Sequence, residues 1–126
     1  MSLKTPLARV RGLGSAKDGT HHWWVQRLTA IALIPLALYF VWLLLGLAAA
    51  DHGTVRLTLG QPFNAVLMAA FSIALFWHAQ LGLQVVIEDY IHARWLEVTL
   101  QVLVRFATLL AILVALVAIG RLAFTG

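Results

Sequence analysis

Apolar and polar positions divide this chain into three long apolar runs separated by two short polar breaks. The runs are Leu28–Ala50, Phe63–Ile87 and Val98–Phe124. Each reaches the roughly 20 residues needed to cross about 30 Å of hydrocarbon as a helix. Lipid offers no partner to an unpaired backbone amide, so the runs predict helices rather than open strands. Pro35 lies inside the first run and predicts a bend there, which neighbouring helices make tolerable in a membrane. Asp51-His52-Gly53 ends the first run, and Gly60-Gln61-Pro62 precedes the second. The segment from Glu88 to Arg94 separates the second from the third. The pattern predicts one all-α membrane domain, with residues 1–27 forming a basic tail and interface. No internal repeat, low-complexity tract or second domain is visible.

Composition excludes a soluble alternative. Hydrophobic residues make up 62% of the 126 positions, charged residues 11%, and mean hydropathy is +0.91. Ordinary globular chains are roughly one quarter charged, and a soluble fold must cover itself with polar surface that this chain lacks. The formal charge is +4, but its distribution argues against nucleic acid as a partner. Lys4, Arg9, Arg11, Lys17 and Arg27 all precede the first apolar run, beside a membrane entrance rather than across a folded face. With no cysteine, disulfides, thiolate metal sites and cysteine-held iron–sulfur clusters are excluded from this chain. The first twenty residues lack the apolar core of a secretory signal and read as a retained cytoplasmic tail, which favours a bacterial inner membrane. Lysine and arginine outside the runs favour the same side. The tail and Arg94 carry six, against Arg56 and Arg121 on the other side. The N-terminus is therefore expected in the cytoplasm and the C-terminus in the periplasm.

Against this apolar background a few side chains stand out as chemistry. His78 is the only histidine deep inside a run. Two readings are open for it: a neutral imidazole bonded to an adjacent helix, or an axial ligand to haem iron. On an ideal helix His78, Gly82 and Asp89 share one face, and Gly82 would let a flat macrocycle approach the backbone. His21, His22, Trp23 and Trp24, followed by Arg27, lie at the entrance to the first run. They read either as an interfacial aromatic belt with a snorkelling arginine or as a place where Arg27 meets an anion such as a haem propionate. Asp89-Tyr90 follows the second run, where a phenol beside a carboxylate can donate to a quinone carbonyl or simply anchor the interface. Gln101, Arg105 and Thr108 form a polar stripe on the third run, expected to face protein.

The run His78-Ala79-Gln80-Leu81-Gly82-Leu83-Gln84-Val85-Val86-Ile87-Glu88-Asp89-Tyr90 resembles the signature of the D-type membrane anchors of succinate dehydrogenase, complex II. A second, weaker likeness lies in Gly19–Ala30, where a histidine and an Arg-x-Thr-Ala sequence open the first span. The resemblance implies three transmembrane helices forming half of a heterodimeric anchor bundle. It implies haem b shared with a second, C-type anchor, and ubiquinone as the electron acceptor. An iron–sulfur subunit and a flavoprotein would supply the electrons. By residue, His78 would be the axial haem ligand, Tyr90 would bond the quinone with Asp89 in support, and Arg27 and His21 would neutralise haem propionates. Arg105 receives no role from the resemblance. The Ser-x-x-His-Arg type of motif expected of the larger anchor is absent, which points to the D-type.

Two other functions fit parts of the pattern. A haem-free transporter or channel subunit could use His78 and Arg105 as polar pathway residues, although three spans alone make a poor pore. The anchor of a fumarate reductase would look much the same, since the direction of the reaction depends on the quinone and its redox partners.

Overall fold

The computed structural model describes residues 13–125, with side chains from Thr20 onward. Four helices follow one another: α1 (Leu13–Leu47), α2 (His52–Leu59), α3 (Pro62–Tyr90) and α4 (Arg94–Phe124). Three of them are long and apolar enough to cross a membrane, over Thr20–Leu47, Pro62–Tyr90 and Arg94–Phe124. The chain is an all-α integral membrane protein. Of the expected basic tail, Lys4, Arg9 and Arg11 lie outside the described residues, as does the side chain of Lys17.

The helices overrun the apolar runs, because polar residues can continue a helix once its hydrogen-bond ladder has started. α1 begins about four turns before Leu28 and continues through Pro35. The first break, which hydropathy alone reads as a loop, contains the eight-residue α2. Gly60 ends α2, its N–H reaching the Arg56 carbonyl at 3.0 Å, and Pro62 opens α3, where a missing amide hydrogen leaves nothing unpaired. Only Ile91–Ala93 separate α3 from α4.

α3 is the centre of the bundle, with α1 packed along one side and α4 along another. Thr29 meets His78 while Tyr39 meets Asn64, so α1 and α3 run antiparallel. The short connection after Tyr90 turns α4 back along α3 in the same way. One end of the bundle therefore gathers the early part of α1, the end of α3 and the start of α4. The other end carries α2.

The buried seam is thin. Leu43, Ala65, Ala74, Leu81, Ile87 and Ile119 are its apolar members, and two are alanines that let helix backbones come close. Phe40 stacks on Phe71 with ring centroids 4.8 Å apart, joining α1 to α3. Most large apolar side chains point outwards, including Leu38, Trp42, Leu45 and Phe106. In water such a surface would drive aggregation. In lipid, or against another membrane helix, it is at home.

Candidate functional site

Within the seam, only two polar side chains are buried among the described residues: Thr29 and Asn64. Thr29 stands on α1 opposite His78 of α3, with Oγ1 3.0 Å from His78 Nδ1. The same Oγ1 lies 2.9 Å from the Val25 carbonyl and 3.0 Å from that of Gln26, one turn back on α1. His78 is half-buried, and its Nε2 makes no hydrogen bond among the described residues. One turn further along α3, a Cβ built on Gly82 would meet nothing within 4 Å. Gly82 therefore leaves an open strip of α3 beside a histidine that is tethered through one nitrogen and free at the other.

A second feature opens at the same end. His21, His22 and Val25 of α1, Trp77, Gln80, Leu81 and Gln84 of α3, and Arg105 of α4 line a cleft of about 400 Å³. Its polar groups are short of partners. Among the described residues, His22 Nε2 and, next to the cleft, Gln26 Oε1 are buried without hydrogen bonds, and Arg105 pairs with no carboxylate. Gln84 donates to Glu88 Oε1 at 3.1 Å. Arg105, which the sequence places only on a polar stripe, thus shares a cleft with both histidines of α1.

The remaining candidates sit apart. Arg27 is two residues from Thr29, about 160° around α1, and so on the side away from His78. It is exposed, with its guanidinium 5.4 Å from the centre of the Trp23 ring, and Trp23 packs edge-on against Trp24. That arrangement suits an interfacial belt, where a cation rests on an indole face. His21 lies in the cleft instead, so the two residues proposed to share one anion approach from different sides of α1. Asp89 and Tyr90 end α3 in the open. Tyr90 is 75% exposed, and neither side chain has a hydrogen bond or ion pair among the described residues. The structure brings Thr29, His78 and Gly82 together, and sets Tyr90 three turns beyond His78.

Comparison with known proteins assigns the architecture. The model of the succinate dehydrogenase/fumarate reductase transmembrane subunits matches residues 1–120. The chain belongs to that family. Among similar proteins, the succinate dehydrogenase hydrophobic membrane anchor subunit of Rickettsia bellii is 35% identical over 116 residues, covering 92% of this chain and 93% of the relative. That of Rickettsia conorii is 34% identical over 117 residues, with the same coverage. The succinate dehydrogenase membrane anchor subunit of Reclinomonas americana is 37% identical over 79 residues, 60% of this chain and 66% of the relative. No solved structure matches the chain.

In this succinate dehydrogenase/fumarate reductase transmembrane subunit, two buried polar residues carry little signal in the sequence. Thr29 is visible only as part of the Arg-x-Thr-Ala likeness; its signal is a hydroxyl on the helix face it shares with His22 and Gln26. Asn64 was hidden at the start of an apolar run. An amide at that position in a membrane helix is itself a signal, because it must find partners inside the protein.

Proposed function

We propose that this chain is the D-type membrane anchor of a succinate:ubiquinone oxidoreductase, with His78 as one axial ligand of a haem b shared with a C-type anchor. The observation that carries the reading is His78 itself. It is a half-buried imidazole held through Nδ1, free at Nε2, and followed one turn later by a glycine whose side is open. A structural histidine satisfied within the bundle would use both nitrogens or be enclosed; this one keeps a ligating nitrogen and flat space beside it. When bound, the haem would supply a one-electron carrier near the quinone. Arg27 and His21, on different sides of α1, would be the groups to neutralise the haem's propionates.

Tyr90 is proposed as the quinone's hydrogen-bond donor. Quinones present oxygens that only accept, and an exposed phenol with no internal partner is free to donate. Asp89 beside it can hold or pass a proton. The reaction removes two electrons and two protons from succinate in the flavoprotein and delivers two of each to the quinone. The iron–sulfur subunit would carry the electrons to the Tyr90 end. The named relatives are all succinate dehydrogenase subunits, which favours this direction over fumarate reduction.

The purified complex with His78→Ala tests the reading. Loss or alteration of the six-coordinate low-spin haem spectrum is expected; an unchanged spectrum would sink the assignment. Orientation in a bacterial inner membrane is a separate expectation, with the Tyr90 end in the cytoplasm. Single cysteines at Thr54 and Ala93 give the readout, using a membrane-impermeant maleimide on intact cells. Thr54 should label and Ala93 should not; the reverse would invert the topology.

A further inference from the structure

The Thr29 hydroxyl has one hydrogen and three polar neighbours within 3.0 Å. Two of these, the carbonyls of Val25 and Gln26, can only accept. If the hydrogen pointed at His78, Oγ1 would face both carbonyl oxygens at 2.9 and 3.0 Å with no proton between any of them. Two oxygen–oxygen contacts of that length without a hydrogen are repulsive. If the hydrogen points back to the carbonyls, both contacts become attractive and a lone pair of Oγ1 is left for His78. The donor in the third contact is then the Nδ1–H of the imidazole.

We propose that Thr29 is a positioning residue, resting on the reading of His78 as a haem ligand. It holds His78 in the Nδ1–H tautomer and so keeps Nε2 as the lone-pair nitrogen. The two tautomers of a free imidazole are close in energy, so one hydrogen bond at a buried position selects between them. The chain of bonds runs from His78 through Thr29 to the backbone of α1. An Nδ1–H that donates makes Nε2 a stronger electron donor, which favours the ferric over the ferrous state and lowers the reduction potential. The ligand belongs to α3 and its partner to α1, so the packing of these two helices would set the electronic properties of the cofactor. Thr29 touches no substrate and acts only through His78.

The test uses the assembled complex with Thr29→Val, Thr29→Ser and His78→Ala, followed by redox titration of the haem band and low-temperature electron paramagnetic resonance. Thr29→Val keeps the branched shape and removes the hydroxyl. Its haem should titrate at a higher potential than wild type, with altered low-spin g values. Thr29→Ser keeps the hydroxyl and should return both towards wild type. If the residue merely fills space the order reverses, because serine loses the methyl that valine retains; that result overturns the proposal. Wild-type potential and g values in Thr29→Val also overturn it, while a changed spectrum in His78→Ala would leave ligation standing. An unchanged low-spin spectrum in His78→Ala removes the ligand reading, and the role of Thr29 with it. If Thr29→Val assembles poorly, Thr29→Ala lacks the same hydroxyl without the branched bulk and carries the same expectation.

Discussion

The two ends of this bundle treat their polar groups in opposite ways. At the α2 end the buried polar side chain is paired within the chain. The buried Asn64 accepts from the Tyr39 hydroxyl and donates to the Thr58 carbonyl at 2.8 Å and to Gln61 Oε1 at 3.3 Å. One amide thereby ties α1, α2 and α3 together. Thr54 donates to Asp51 ahead of α2 and holds that carboxyl below its ordinary range. At the Tyr90 end the pattern is one of unmet needs: His22 Nε2 and Gln26 Oε1 are buried and unbonded, while Arg105, Asp89 and Tyr90 lack partners among the described residues. Buried polar groups are rarely left unpaired without a reason. The difference marks the α2 end as a structural clasp and the Tyr90 end as the one whose buried polar groups lack partners among the described residues.

The largest effects are expected at the clasp. A Cβ on Gly60 would clash with the Leu122 carbonyl oxygen, a backbone atom that cannot swing aside. Gly60→Ala should therefore push the end of α4 outwards and cost about 1–3 kcal/mol, as overpacking does. Asn64→Leu should cost a similar amount, about 1–3 kcal/mol, by stranding the Tyr39 hydroxyl and taking one of its donors from the Thr58 carbonyl. Thermal inactivation of the detergent-solubilised complex measures both. Below the melting transition, haem spectrum and quinone turnover should stay as in wild type. A variant at this end that altered either without lowering stability would erase the distinction between the ends.

The three spans were readable because a run of apolar residues long enough to cross a membrane has few other solutions, and Leu28–Ala50, Phe63–Ile87 and Val98–Phe124 each meet it. The extra turns of α1 and the short α2 were not readable, since neither carries a long apolar run. His78 stood out because imidazole is costly in hydrocarbon. Its partner did not, because a threonine hydroxyl can satisfy itself on its own helix, and only the placement of α1 against α3 brings Thr29 to His78. The stripe of Gln101, Arg105 and Thr108 was expected to face protein. In the structure Arg105 borders a cleft rather than a packed neighbour, a distinction that hydropathy does not encode.

At the Tyr90 end smaller energies should have functional rather than structural consequences. Tyr90→Phe keeps the ring and removes one donor worth on the order of 1 kcal/mol. Quinone reduction should fall by roughly fivefold, the rate equivalent of that energy. Succinate oxidation with an artificial acceptor, assembly and the haem spectrum should be unaffected. Measuring both activities on one preparation decides the matter. Wild-type quinone kinetics would reduce Tyr90 to an interfacial anchor.

The smallest effect sharpens the comparison further, since it applies the same change to a tyrosine at the opposite end. Tyr39→Phe also removes a single hydroxyl, but one bonded to the buried Asn64 rather than exposed. Its ring keeps the edge-on contact with Phe63, at 6.3 Å between centroids, so packing is preserved. Asn64 keeps its two bonds through Nδ2 and loses only the one at Oδ1. Hydrogen bonds between membrane helices contribute about 0.6 kcal/mol on average, because the unfolded chain in the membrane also finds partners. Tyr39→Phe should therefore lower the stability of the complex only slightly, less than Asn64→Leu, and leave quinone kinetics alone. The informative quantity is the contrast between the two tyrosines: the same atom removed should cost stability at Tyr39 and turnover at Tyr90. Equal losses of turnover in the two variants would mean that the clasp communicates with the Tyr90 end, and the division of labour between them would fall.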